Sequence, residues 1–203
     1  METSEAAALP RVEAYLANLA SGLAAHPACQ AKGALVRNLL AGQDVAELAR
    51  RLPPPLRRLA MEPPVGSEWI PETHLTALYL GLADVRGLRD EDFLGFARER
   101  NRTLFRSAAY RFLMEVVSPA TLLRFAGQRW ANFHRGTTFE QEGVADDGVR
   151  YTLRFPENLF PPLMLRVYAQ AFVAALEMAR ARFPVVAVEA QNGRSARFIA
   201  TWS

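Results

Sequence analysis

Residue types that carry cross-links or metal chemistry are scarce in this chain. Its 203 residues include one cysteine, Cys29, and three histidines, His26, His74 and His134. A single cysteine cannot form an internal disulfide, and the dispersed histidines lack metal-ligand spacing. The sequence also lacks the run of about 18 apolar residues that a membrane-spanning helix needs. We therefore predict no metal site and no membrane association.

Catalytic motifs are missing as well. The chain has no Gly-x-Ser-x-Gly elbow, no glycine-rich phosphate loop and no His-Glu-x-x-His helix. Its carboxylate clusters, Asp90-Glu91-Asp92 and Asp146-Asp147, occur where helix-start and turn chemistry account for them. The sequence therefore predicts a protein that is not an enzyme.

The N-terminus does not have the composition of a secretory signal. Glu2 and Glu5 lie where such a signal carries positive charge. With the lone cysteine, this predicts a cytoplasmic protein.

The residue patterns in the last third of the chain predict a hairpin, a helix and a second hairpin, in that order. Alternating apolar residues predict a strand over 149–155, which pairs with 137–142 across a turn at 145–148. A continuous apolar stripe predicts a helix over 160–183, begun by a proline pair and ended by Pro184. Asn192-Gly193 then predicts a second hairpin.

The residues before this unit have mainly helical patterns. We predict an N-terminal helical region over 1–70 that ends in a proline-rich connection, and an α+β core over 71–203. Together they make one compact domain. The predicted fold class is α+β: N-terminal helices, then a four-stranded antiparallel sheet of two hairpins packed by a long amphipathic helix.

The final hairpin carries apolar residues on both of its faces. We assign Val186, Val188 and Ile199 to one face, and Val185, Ala187, Phe198 and Ala200 to the other. A sheet of this kind needs cover on both sides. This predicts a homodimer interface at Val186, Val188 and Ile199, and makes a dimeric interaction scaffold the alternative to a ligand-binding function.

The segment from Ser118 to Gly136 supplies the candidate ligand site. Its pattern predicts a helix whose aromatic side is buried. The candidate ligand-binding residues are Phe125, Arg129, Trp130, Phe133, His134 and Arg135. The aromatic residues would line an apolar pocket, and Arg129 or Arg135 would anchor an anionic group. For His134 the favoured interpretation is a role at the helix C-terminus, where histidine interacts well with exposed carbonyl groups, and ligand binding is the alternative.

Arg98, Arg102 and Arg106 recur every four residues and form a basic stripe along one helix face. Arginine suits carboxylate and phosphate groups, so the stripe could hold an anionic ligand or nucleic acid. A solvated face with salt bridges is the favoured interpretation, and nucleic-acid binding is the weakest of the functional hypotheses.

Four segments carry a resemblance to a known family: 31–40 (AKGALVRNLL), 118–125 (SPATLLRF), 132–139 (NFHRGTTF) and 196–202 (ARFIATW). In this order they resemble a paralogous family of proteins of similar length found mainly in myxobacteria. That family carries no assigned function, so the resemblance implies none.

The order of elements after residue 118 also resembles a broader group. It contains the 4-vinyl-reductase domains, the haem-based nitric-oxide sensors and trafficking-complex subunits. This resemblance implies a pocket for an apolar or tetrapyrrole-like ligand, and dimerisation. The sensors use a proximal histidine and a Tyr-x-Ser-x-Arg motif, for which this chain has only Tyr151-Thr152-Leu153-Arg154. The 4-vinyl-reductase domains often have cysteines near the final hairpin, and here there are none.

From these departures we expect no haem site and no cysteine-metal site. The function we favour is a non-catalytic bacterial ligand-binding or sensory module that takes a small apolar or anionic ligand.

Overall fold

A computed structural model of the protein describes residues 8–107, 110, 118–145 and 148–203. From the charge patterns we also predict a helix that begins at Asp90 and runs towards Val117; its residues 108–109 and 111–117, and the Asp146-Asp147 turn, lie outside the described residues. Within the described part, no helix combines the length and the apolar character needed to cross a membrane.

The N-terminal half is helical, as predicted. It contains α1 (Pro10–Ala17), a 3₁₀ turn (Gly22–Ala24), α2 (Gly33–Leu40), α3 (Val45–Arg51), α4 (Pro54–Met61), α5 (Glu72–Val85) and α6 (Asp90–Arg106). The proline-rich connection contains the short helix α4, which the sequence patterns did not predict. The prolines of α4 lie at the helix N-terminus, where the missing N–H groups need no partner within the helix.

The predicted helix over 118–136 is two short helices, α7 (Pro119–Arg124) and α8 (Ala126–Ala131). Ser118 caps α7 through its hydroxyl, which accepts a hydrogen bond from the backbone N–H of Thr121 at 3.3 Å. Phe125 separates the two helices and is 41% exposed.

A small antiparallel sheet was missed by the sequence patterns. It joins β1 (Gln30–Lys32), β2 (Trp69–Pro71) and β3 (His134–Arg135) in the order β2-β1-β3. Each strand has only two or three residues, too few for an alternating pattern to be recognised. The sheet brings together three segments that are far apart in the chain.

The C-terminal unit confirms the predicted fold class. It contains β4 (Thr138–Ala145), β5 (Gly148–Arg154), α9 (Pro162–Met178), β6 (Val185–Gln191) and β7 (Ser195–Thr201), and the sheet order is β4-β5-β7-β6. The helix α9 begins at the proline pair as predicted but ends before Pro184. Arg180 has a positive φ of 65°, and the N–H of Ala181 bonds back to the carbonyl of Leu176.

The register of β6 and β7 corrects the predicted faces of the final hairpin. Val186 lies opposite Ala200, Val188 opposite Phe198, and Ala187 opposite Ile199. Directly opposite residues share a face of an antiparallel pair. Val186 and Val188 therefore share the face that carries buried Phe198, and Ile199 lies on the other face. The three residues form no common surface, and the homodimer stays a prediction.

The buried core runs through both halves of the chain. It includes Leu39, Leu48, Leu78 and Phe93 from the N-terminal half, and Leu153, Met164 and Phe198 from the C-terminal half. The helix α9 lies between α6 and the four-stranded sheet and buries residues against both. Its apolar stripe therefore forms the centre of the molecule.

Gly127 tests the packing of α8 on β4. A Cβ atom at this position would lie 2.5 Å from the backbone oxygen of Phe139. We expect Gly127→Ala to lower the free energy of unfolding by about 1–3 kcal/mol, since a backbone atom cannot move aside cheaply. Urea denaturation measures this change.

The matched control is Gly95→Ala, in a helical position where a Cβ meets nothing within 4 Å. It should stabilise the protein by about 0.5–1 kcal/mol. Equal effects of the two substitutions would contradict the packing of α8 on β4.

Candidate functional site

A buried carboxylate lies where α5, β3 and α9 meet. Glu72, the first residue of α5, is fully buried. Its Oε2 lies 2.9 Å from Nδ1 of His134, and its Oε1 accepts a hydrogen bond from the Tyr168 hydroxyl at 3.0 Å. Both carboxylate oxygens are thus engaged, and the N-terminus of α5 favours a negative charge at this position. We call Glu72, His134 and Tyr168 the buried triad.

The small sheet holds His134 in this position. Ala31 on β1 lies opposite both Ile70 and His134, so these residues share the inward face of the sheet. Gly136, directly after β3, has a φ of 73°, and a Cβ there would lie 2.5 Å from the backbone oxygen of Ala28. Glycine is therefore required at the turn that sets the end of β3.

Aromatic rings surround the histidine. The indole of Trp130 stacks on the His134 ring with centroids 3.9 Å apart, and the Tyr168 ring meets both edge-on. Trp130 is itself oriented by a hydrogen bond from its Nε1 to the Thr137 hydroxyl at 2.9 Å. The ring of His134 is therefore fixed on its face by stacking and at Nδ1 by the carboxylate.

An apolar cavity of about 110 Å³ adjoins the buried triad. Its walls come from α2, α5, α6, α7, α8, β3 and α9 and are mostly leucine, alanine and aromatic side chains. The polar or ionisable members of the lining are Tyr79, Asn101, Arg129, His134 and Tyr168. A mostly apolar cavity with a few polar groups is the usual form of a small-molecule site.

The structure brings together four of the six predicted ligand-binding residues. Arg129, Trp130, Phe133 and His134 line the cavity. Phe125 does not, because the break between α7 and α8 leaves it at the surface. Arg135 also lies outside, because adjacent residues of β3 point to opposite faces.

On the outer face of the small sheet, the guanidinium of Arg135 stacks on Trp69 at 3.8 Å. The predicted anionic anchor at Arg135 is therefore corrected. His134 also differs from the interpretation favoured for it, since it lies in a strand and bonds to a carboxylate instead of capping a helix.

Three functional residues were missed by sequence reasoning. Glu72 resembles an ordinary acidic residue in the first turn of a helix, and Tyr168 belongs to the apolar stripe of α9. Asn101 follows Ala97 by one turn on the buried side of α6. A polar residue within a buried stripe is the one signal that could have pointed to it.

Glu72 contributes to the raised pKa values of two neighbouring groups, Tyr168 and Cys29. The pKa of the Tyr168 hydroxyl is raised well above its ordinary value by burial, and then by the charge and hydrogen bond of Glu72. Burial, with a smaller contribution from Glu72, raises the pKa of the Cys29 thiol from 9.0 to about 11. Both groups therefore stay neutral around pH ~7.

Most of the basic stripe is engaged in salt bridges within the protein. Arg98 and Arg102 on α6 both bind Glu177 on α9, the latter through Nε and Nη2 at 2.7 and 2.8 Å. Hydrogen bonds from Arg102 and then Arg98 lower the pKa of Glu177. Two of the three arginines thus form salt bridges between helices, which supports the solvated-face interpretation.

The described residues contain no cluster of three or more histidine, cysteine, aspartate or glutamate side chains suited to a metal ion. A single axial histidine, such as a haem iron uses, is a different arrangement.

Comparison by sequence finds no matching family model and no matching curated protein. Comparison of structures finds H-NOX domains. An iron(II) unliganded H-NOX protein from K. algicida superimposes with a TM-score of 0.59 at 12% identity, covering 85% of this chain and 96% of that one. An oxygen-binding H-NOX domain related to soluble guanylate cyclases has a TM-score of 0.54 at 11% identity, over 83% and 92%.

A third structure, from work on haem redox potential and porphyrin distortion, has a TM-score of 0.56 at 10% identity, over 84% and 97%. This finding overturns the expectation that no haem site is supported. That expectation rested on a missing motif, whereas proteins of the same fold include haem proteins. These likenesses establish an H-NOX-like α+β fold for this chain.

The hydrogen bond between Tyr168 and Glu72 predicts that substitutions at these two positions have coupled effects on stability. Tyr168→Phe removes the donor to a buried carboxylate oxygen and should cost about 1–3 kcal/mol of unfolding free energy. In a double-mutant cycle with Glu72→Gln, the two changes should couple by about 0.5–3 kcal/mol. Thermal and urea unfolding of the four proteins measures the cycle.

The control for this cycle is Tyr15→Phe, whose hydroxyl donates to the carbonyl of Leu159 at 2.9 Å. It should couple more weakly to Glu72→Gln because it lacks a direct bond to that residue. Independent effects at positions 72 and 168 would contradict the triad.

The raised pKa of the Cys29 thiol predicts how the stability of the protein changes at alkaline pH. Because the folded thiol titrates near 11 and the ordinary value is 9.0, the unfolded chain loses this proton first as the pH rises. Stability should therefore fall by about 1 kcal/mol between about pH 8 and pH 10 from this group alone. At neutral pH, Cys29→Ala should change the free energy of unfolding by an amount that does not depend on pH. Above about pH 8 the variant should lose less stability than the wild type, because it lacks the thiol. Urea unfolding at each pH measures both effects. Parallel curves for the two proteins would contradict the assignment.

Proposed function

We propose that this protein is a non-catalytic ligand-binding or sensory module whose ligand site is the cavity beside His134. The observation that carries the proposal is the buried triad in the wall of an apolar cavity. Ionisable groups held within an apolar cavity are a common mark of a binding site. The H-NOX-like fold supports the same reading, because an H-NOX domain of this fold binds oxygen.

Haem is the cofactor class that we propose for this site. Nδ1 of His134 is engaged with Glu72, so Nε2 is the ring nitrogen left for a metal. Imidazole is a common axial ligand of haem iron, and metal-binding histidines usually hold a carboxylate or carbonyl at their other nitrogen. The donor set of this chain therefore fits the group. When bound, haem supplies an iron centre at which a diatomic gas can coordinate.

The residues of this chain would each have a separate task. His134 would hold the iron through Nε2, and Glu72 would orient the imidazole and raise its basicity. Trp130 would keep the ring from rotating, since it stacks on its face. Arg129, half-buried on α8, would place positive charge near the acidic edge of the group.

The volume of the cavity sets a condition on haem binding. An apolar cavity of about 150 Å³ is known to take benzene, and this one measures about 110 Å³. A porphyrin is several times larger than benzene, so α6, α8 and α9 must separate to admit it. The same volume favours a second candidate, a small apolar ligand that fills the cavity without a change of the fold.

Titration of the purified protein with haem tests the first candidate. We expect a saturable shift of the Soret band for the wild-type protein, and loss of the histidine-ligated spectrum in His134→Ala. Added imidazole should restore that spectrum, because it replaces the missing side chain. Glu72→Gln should weaken binding by about 10–100-fold.

The matched control is His74→Ala, since His74 is half-buried on α5 and is not part of the cavity lining. It should leave the spectrum unchanged. A wild-type protein without saturable haem binding, or a His134→Ala variant with the wild-type spectrum, would contradict haem ligation by His134.

A further inference from the structure

Asn101 is a buried polar residue on an apolar wall of the cavity. It is 5% exposed and lies on α6 among Ala97, Leu104 and Phe105, which are also buried. Asparagine is seldom buried without hydrogen-bond partners, because desolvating its amide is unfavourable.

The orientation of the Asn101 amide follows from its one hydrogen bond. Nδ2 donates to the backbone oxygen of Ala97 at 2.8 Å, one turn earlier in the same helix. A carbonyl oxygen only accepts, so the atom that faces it must be the amide nitrogen. The Oδ1 atom is then the other end of the amide, and none of the hydrogen bonds among the described residues uses it as an acceptor.

From this geometry we infer that Asn101 selects the ligand of the cavity, by accepting a hydrogen bond from it through Oδ1. The inference rests on the proposed function, since it takes the cavity as the ligand site. The ligand class is a compact apolar molecule that carries one hydrogen-bond donor, such as a hydroxyl group on a single aromatic ring. The cavity volume, close to that which takes benzene, limits the apolar part to about one ring.

A hydrogen-bond donor on the ligand contributes more to binding free energy in this cavity than it would at the protein surface. A hydrogen bond is stronger in an apolar cavity than at a surface exposed to water, and a site that offers an acceptor discriminates against ligands that leave it unpaired. His134 and Arg129 lie in the same lining. Arginine only donates, so Arg129 cannot replace Asn101 as the acceptor, whereas His134 can accept through Nε2 when Nδ1 carries the proton.

Benzene and phenol are the probes that test the inference. Their dissociation constants are measured by isothermal titration for the wild-type protein and for Asn101→Leu, a substitution of similar size. The ratio of benzene to phenol dissociation constants cancels general effects of the substitution on the cavity. We expect this ratio to fall by roughly three- to tenfold in Asn101→Leu, the change that corresponds to one net hydrogen bond.

The matched control is Asn38→Leu. Asn38 also donates to a helix carbonyl, that of Arg100 at 2.8 Å, but does not line the cavity. The ratio of benzene to phenol dissociation constants in Asn38→Leu should equal that of the wild-type protein. Asn101→Ala provides a second variant that removes the acceptor, and benzene binding by either variant shows that the cavity has formed.

The outcomes separate the two proposals. If both probes bind and the ratio is unchanged in Asn101→Leu, the role of Asn101 is wrong while the cavity remains a ligand site. A water molecule retained on Oδ1 would give this same result. If neither probe binds the wild-type protein, the inference fails together with the small-ligand form of the proposed function, and haem titration then decides the haem form independently.

Discussion

The hydrogen bonds of one buried carboxylate hold the candidate site of this protein together. Glu72 has no exposed surface, and both of its oxygens are engaged, by His134 on β3 and Tyr168 on α9. Burial of a carboxylate is costly unless its hydrogen bonds are made. The positions of α5, β3 and α9 are therefore mutually dependent, and the cavity lies where these three elements meet.

The same arrangement explains how an apolar cavity is kept beside an ionisable group. Trp130 covers one face of the His134 ring, and aliphatic and aromatic side chains from the surrounding helices form most of the remaining wall. On the outer side of α6 and α9, Arg98 and Arg102 bind Glu177 and join the two helices. These salt bridges involve no lining residue, and the lining itself keeps a small number of polar side chains and one arginine, Arg129.

An H-NOX-like fold without the Tyr-x-Ser-x-Arg motif shows how fold and site chemistry separate. The fold is set by apolar periodicity and turns, which tolerate about 10–12% identity to the solved structures. The site is set by a few side chains at the junction of elements. His134, for example, reaches the cavity from a strand of two residues.

The sequence by itself determined the hairpin, helix and hairpin order of the C-terminal unit, because alternating residues, a long apolar stripe and Asn192-Gly193 are local signals. It also indicated four lining residues, since Trp130 and its neighbours form an aromatic cluster within a few positions. Only the tertiary structure decided the roles of Glu72, Tyr168 and Asn101, and the outward direction of Arg135. The contact of Glu72 with His134 and the direction of Arg135 depend on β1 and β3, strands of two or three residues that pair across about a hundred positions. No local pattern encodes a contact of that range.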